Sequence, residues 1–307
     1  MTEPIRHRRA RPSRRQVAVR RSVALLLLAG GFGAAAWLGS LALGGGSGTG
    51  PPATTAPPTT TRAAPAARPL RIVFPEGFTR RQMAERITAV NGIAKRRRKV
   101  TTRLKAARFL ALTGEHPLPG IFAGDRRARP LEGFLFPATY EFTAKTTTAQ
   151  LIDRLLGTFQ RNWAKVDLAY AKSKNLTPYD VLIIASMIEE ETIAPEERPL
   201  VAAVIYNRLK ARMALGIDAT IRYGLGVPGT ESLRESHLNS DNPYNTREHP
   251  GLPPTPITNP GLASIRAAAR PARKNFLYFV RKPDKVHHFF TASKDEFDRK
   301  SCEYGYC

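Results

Sequence analysis

Between an arginine-rich start and a run of glycines lies an uncharged stretch of 21 residues, Val23 to Leu43, built from Ala, Leu, Gly, Val, Phe and Trp with Ser40 inside it. As a helix it is long enough to cross a hydrocarbon layer of about 30 Å. Its flanks are unequal. Residues 1–21 carry eight arginines against one acid, Glu3, and no charge follows the stretch until Arg62. That asymmetry predicts a cytoplasmic N-terminal tail (1–21), a single-pass anchor (22–43) and an external body. A cleaved export signal is the alternative, faintly suggested by Ser13-Arg14-Arg15-Gln16-Val17. Residues 44–69 are Gly/Ser and then Pro/Thr/Ala, too poor in apolar side chains to fold, and read as a linker. Folding is left to residues 70–300, enough for one large or two modest domains, with 301–307 as a tail.

The formal charge of +23 stays strongly positive once the basic tail is set aside, so the body favours anionic surroundings. Nucleic acid, lipid headgroups and acidic wall polymers all satisfy charge. A body held outside a membrane does not meet nucleic acid, which leaves the other two. The two cysteines, Cys302 and Cys307, both lie in the last six residues, where a short local disulfide is expected. Only His287-His288 stands near them in sequence, so no metal site is expected, and a thiol nucleophile on a mobile tail is not expected either.

Within the body, Leu70 to Phe74 reads as a strand closed by Pro75-Glu76-Gly77, and Thr79 as the cap of a helix carrying Met83, Ile87 and Val90. Lys95 to Lys99 reads as a solvated helix face or loop. A helix with Leu104, Ala107, Phe109 and Leu110 follows, then a loop from Gly114 to Pro130 and an extended, aromatic-rich segment from Leu131 to Tyr140. Leu151, Leu155 and Phe159 mark an amphipathic helix. Pro178 opens the next one. Pro195 starts another, with Glu196 and Glu197 beside its N-terminal dipole and Leu200, Val201, Val204, Ile205 and Leu209 on its apolar face. After Gly216 the chain reads as loop, with seven prolines between 228 and 260, before a short helix around Ile265 and a strand at Phe276 to Val280.

Residues 181–192, Val-Leu-Ile-Ile-Ala-Ser-Met-Ile-Glu-Glu-Glu-Thr, carry the chemistry. At helical period Val181, Ile184, Ala185 and Ile188 form one stripe, and Glu191 falls on it, while Glu189 and Glu190 point elsewhere into solvent. A carboxyl on the core side of an apolar helix is disfavoured as an anion, and its pKa rises towards that of a general acid. The other reading is a helix end, where the stripe runs out before Pro195.

The ordered series Leu131-Glu132-Gly133, Phe136-Pro137, Thr139-Tyr140, Ala185 to Thr192, Asn207-Arg208-Leu209, Asp218, Tyr223-Gly224, Tyr244-Asn245-Thr246, Gly251 to Ile257, Asn259-Pro260-Gly261 and His287-x-Phe289 resembles the YceG-like family. The resemblance implies an α+β fold: a helical catalytic core with small β-sheet elements behind a single-pass N-terminal membrane anchor. It implies internal cleavage of peptidoglycan glycan strands between N-acetylmuramic acid (MurNAc) and N-acetylglucosamine (GlcNAc), giving 1,6-anhydro ends, with Glu191 as the acid and no cofactor. Asp218, Tyr223, Tyr244, Asn245, Asn207 and His287 are the polar residues expected to orient substrate. Partners implied are glycan strands, the membrane and the cell-wall synthesis machinery. Family members commonly carry a LysM-like module between anchor and catalytic region, and here the linker is expected in its place. Two other functions fit the same residues: a hydrolytic muramidase pairing Glu191 with Asp218 as base, and a wall-binding scaffold that does not cleave.

Overall fold

Leu70 and Ile72 alternate with the exposed Arg71 and Val73, and this period of two makes strand β1 (Leu70–Val73), buried on one face. The computed structural model describes residues 69–122 and 129–307, so the expected span at 22–43 and most of the linker lie outside the described residues. Among the described residues no helix is long and apolar enough to cross a membrane. Strand β1 pairs antiparallel with β2 (Thr139–Phe142), from Leu70 opposite Phe142 to Val73 opposite Thr139. Between them run α1 (Arg80–Arg98) and α2 (Ala106–Leu112). Thr79 starts α1 through a reciprocal capping box with Gln82. The last turn of α1 is Lys95 to Arg98, exposed cations at the end of the helix where the dipole favours them.

The second half is built on α5 (Pro178–Glu191), with α3 (Thr148–Trp163) and α4 (Ala169–Ser173) before it and α6 (Arg198–Lys210) after it. Thr177 caps α5 and Pro178 takes its first position, where a missing N–H costs nothing. All eight residues from Val181 to Ile188 are buried, so α5 is the central helix rather than an amphipathic one. Helix α3 contributes Leu151, Leu155, Phe159 and Trp163. The Phe159 and Trp163 rings stack 5.5 Å apart, both meet Phe122, and Phe159 and Phe122 also meet Phe134 in an aromatic cluster.

Three segments differ from the expectation. Leu131 to Phe136 is a buried turn, not a strand, and only Thr139–Phe142 is extended. Gly133 explains it: φ is +90°, and an added Cβ would lie 2.8 Å from Pro256. Pro195 opens a short 3-10 turn, Pro195–Glu197, and the α-helix begins only at Arg198. Beyond Gly216 the chain holds two helices, α7 (Asp218–Leu225) and α8 (Glu235–Leu238), that the surrounding prolines obscure. Helix α9 (Leu262–Ala269) packs on α5. The hairpin of β3 (Tyr278–Arg281) and β4 (His288–Thr291) follows, two residues later than expected, and α10 (Lys294–Glu303) closes the chain. Cys302 sits in the last turn of α10, not on a mobile tail, and is joined to Cys307 by the expected local disulfide.

Candidate active site

Helix α5 stops at Glu191 because Thr192 leaves the helical region, at φ −114° and ψ 125°, while its hydroxyl donates to the Ile188 carbonyl at 2.6 Å. Glu191 is thus the last residue of the central helix, and among the described residues no donor hydrogen-bonds its carboxyl group. Burial pushes it up to about 7. The Asp218 charge adds to this, and the Arg281 and Arg247 charges oppose it. Asp218, at the start of α7, is itself engaged: its Oδ1 accepts from Arg247 Nη2 at 2.6 Å and from Nε at 3.1 Å. An acid with a raised pKa, an ion-paired carboxylate and the charges of two arginines thus act on one another at the end of α5.

The two preceding glutamates differ from each other. Glu189 is not solvated: its side chain is only 7% exposed, accepts from the Gly261 N–H at 3.0 Å and lies 3.7 Å from Arg198 Nη2. It ties α5 to the start of α9. Glu190 is exposed as a residue, yet enclosure of its carboxyl group and the charges of Glu189 and Glu191 push it up to about 7.

The other expected site residues are engaged with neighbours of the fold. Asn207 Nδ2 donates to the Lys274 and Phe276 carbonyls, and the neighbouring Arg208, in place of a carboxylate partner, donates to the Leu277, Ala214 and Leu215 carbonyls. These bonds fasten the β3–β4 hairpin to α6. Tyr223 donates to Glu132 at 3.2 Å, and its ring lies 5.2 Å from that of Tyr244, whose hydroxyl meets Thr255 Oγ1 at 2.8 Å. Helix α7 comes this close only because Gly224 has no side chain: an added Cβ would stand 2.6 Å from Tyr244 Cβ. Asn245 is fully buried and donates to the Leu238 and Ser240 carbonyls. His287 pairs with Asp284 at 2.9 Å and Glu196 at 3.5 Å, the Asp284 hydrogen bond raising its pKa. Of the six, only Asp218 acts directly on Glu191.

Two buried arrangements escaped the sequence reading. His288, not His287, faces inwards: its backbone N–H and Nδ1 meet the two carboxylate oxygens of Glu197 at 2.8 and 2.7 Å, and both side chains are buried. Adjacent histidines on a strand must face opposite ways, so the signal was present, but only register tells which points in. The second arrangement centres on Glu132 and Asn259. Asn259 Oδ1 accepts from the Gly133 and Leu135 N–H groups, both at 2.9 Å, and its Nδ2 donates to the Phe78 carbonyl and to Glu132 at 2.8 and 2.7 Å. Glu132 also accepts from the Arg80 N–H at the start of α1. Burial pushes Glu132 up to about 8, against these donors and Tyr223, which favour its charged form. Ser186 on α5 carries the same loop, accepting from the Ile257 N–H at 3.0 Å. The βααβ unit, the proline-rich loop and α5 are in this way joined behind Glu191.

Fold and site together define a class: a mixed α+β domain with a carboxyl of raised pKa at the end of its central helix. The chain belongs to the YceG-like family, whose model matches residues 57–303. It is 34% identical over 252 residues to the endolytic murein transglycosylase of Streptococcus pneumoniae strain R6, an alignment covering 76% of this chain and 44% of the relative. The protein of that name in Bacillus subtilis is 37% identical over 153 residues, 50% of this chain and 42% of the relative. The chain thus spans less than half the length of these curated relatives. A crystal structure of a yceG-like protein from Listeria monocytogenes aligns with a TM-score of 0.60 at 30% identity, covering 76% of each chain.

Proposed function

We propose that this chain is an endolytic lytic transglycosylase of peptidoglycan, held at the outer face of the membrane by the Val23–Leu43 segment, with its N-terminus cytoplasmic. The names of its relatives support the substrate, and the observation that carries the chemistry is Glu191. It is an enclosed carboxyl tuned to about 7, and the carboxylate whose charge acts on it, Asp218, is already bound to Arg247. A glycosidase that activates water needs a second free carboxylate. A transglycosylase does not, because the attacking hydroxyl belongs to the substrate.

In the first step protonated Glu191 donates to the glycosidic oxygen between MurNAc and GlcNAc as the C1–O bond of MurNAc breaks. The GlcNAc-side strand leaves with that proton on its 4-hydroxyl. Positive character develops at C1, where the sugar's own N-acetyl group stabilises it. In the second step the Glu191 carboxylate takes the proton of the C6 hydroxyl as O6 closes on C1, forming the 1,6-anhydro ring and restoring the acid. Water is not consumed, and no metal or cofactor enters. The basic body suits an anionic polymer, and the proposed anchor keeps it near newly made strands, where the synthesis machinery works.

The sign of the pH dependence follows from the raised pKa. The reacting form is the protonated acid, so kcat/KM on isolated glycan strands is level below pH 7 and falls tenfold per unit above it. A pH–rate profile between 5 and 9 checks this. A limb rising to pH 8 would mean that Glu191 acts first as a base and would overturn the sequence of steps.

A further inference from the structure

The β3–β4 hairpin brings an uncommitted cation to the acid. In the register of the hairpin Arg281 stands directly opposite His288, and opposite residues of an antiparallel pair project to the same face. His288 is bound twice to Glu197, in the 3-10 turn immediately following Glu191 and Thr192 to Ala194. The end of the hairpin bearing Arg281 is therefore pinned to the backbone just beyond the acid, by a buried pair that fixes its position. Arg208 fastens the other end of β3 through the Leu277 carbonyl.

The arginines around this site are mostly spent. Arg247 is bound to Asp218, Arg198 to Ser264 and Glu189, and Arg208 to three carbonyls. The Arg281 side chain is exposed and, among the described residues, makes no hydrogen bond or ion pair, although its charge reaches Glu191. A guanidinium with its donors free, on a backbone held in place, matches one chemistry above others, a carboxylate taken by parallel hydrogen bonds. Of the two sugars in the glycan, GlcNAc is neutral. MurNAc carries a lactyl ether that ends either in a free carboxylate or in a stem peptide with carboxylates of its own.

Resting on the transglycosylase reading above, we infer that Arg281 binds a carboxylate borne by the muramyl unit next to the scissile bond, and so places MurNAc, not GlcNAc, over Glu191. The residue sets substrate register and takes no part in proton transfer.

The test is binding, in the full chain carrying Glu191→Gln so that the ligand stays intact. The probes are muramyl glycan oligomers with free carboxylates and the same oligomers with those carboxylates converted to methylamides. Adding Arg281→Ala weakens binding of the free acid about tenfold, leaves the methylamide unchanged, and Arg281→Lys restores part of the loss. Because Arg281 is exposed, the melting temperature does not move. Equal loss for both ligands, or no loss for either, overturns the inference. If the Arg281→Ala effect persists on strands stripped of stem peptides, the lactyl carboxylate is the one bound; if it disappears, the stem carboxylate is. Failure of the Arg281-containing protein to bind either oligomer would instead strike at the transglycosylase reading itself.

Discussion

Replacing Glu191 by Gln leaves a folded protein whose cleavage of glycan strands falls at least about a thousandfold, within the range that a positioned acid–base contributes. Gln keeps the shape of the protonated carboxyl and its lack of charge, but has no proton to give the leaving oxygen. The same substitution has a second signature, in stability. A carboxyl whose pKa is raised from 4.5 to about 7 in the fold favours the folded state fully below 4.5, and that contribution is lost as pH rises through 7. Gln does not titrate. Above pH 7 the Glu191→Gln protein is therefore more stable than its parent, and at pH 4 the two converge. Thermal melts between pH 4 and 9, run beside activity assays, separate a lost acid from a lost fold. A variant that is inactive and also less stable at pH 8 would mean that Glu191 is an ordinary structural residue.

The largest structural effect is expected at Asn259. Asn259→Ala removes four hydrogen bonds at a site with no solvent access, stranding the Gly133 and Leu135 N–H groups and one side of Glu132, while the Phe78 carbonyl keeps the backbone N–H of residue 259. Each buried group left unpaired costs about 1–3 kcal/mol, and with partial relaxation the total is roughly 3–5 kcal/mol. For a domain of this size that lowers the melting temperature on the order of 10 °C. Activity declines as well, because the loop fastened by Asn259 also contacts α5 through Ile257 and Ser186. Asn259→Asp is the sharper control. It keeps the acceptor for the two N–H groups but sets an oxygen where the amide nitrogen stood, 2.7 Å from Glu132 Oε1. Two carboxyls at that distance must share a proton, so this variant regains stability at acidic pH and loses it as pH rises. A loss below 1 kcal/mol for Asn259→Ala would show that the three segments are held together elsewhere.

What the sequence made legible was local. Thr79 and Pro178 announce helix starts because capping and the first-turn preference of proline act over three or four residues. Glu191 could be singled out because helical period carries one side chain in three or four to the same face; in the fold the residue is half-buried and its carboxyl group is enclosed. The longer-range arrangements were not legible. Glu132 meets Asn259 across 127 positions and Glu197 meets His288 across 91, so neither pairing leaves a periodic trace. Glu189 was read as solvated because the helix alone exposes it, and Gly261, which binds it, arrives from 72 residues away. The turn at Gly133 looked extended because its aromatic neighbours suit a strand. Its conformation depends on a positive φ and on the contact with Pro256. Helix α7 lay hidden among prolines that belong to the flanking loops.

The account rests on Glu191 working without a partner base, and the products of cleavage test that most directly. Purified full-length protein is incubated with peptidoglycan, and the fragment ends are read by mass spectrometry beside a Glu191→Gln control. Strands ending in 1,6-anhydro-MurNAc, absent from the control, are the predicted result. Reducing MurNAc ends, heavier by one water, would contradict it: a water would have been activated, and Asp218 would have to leave Arg247 to do so.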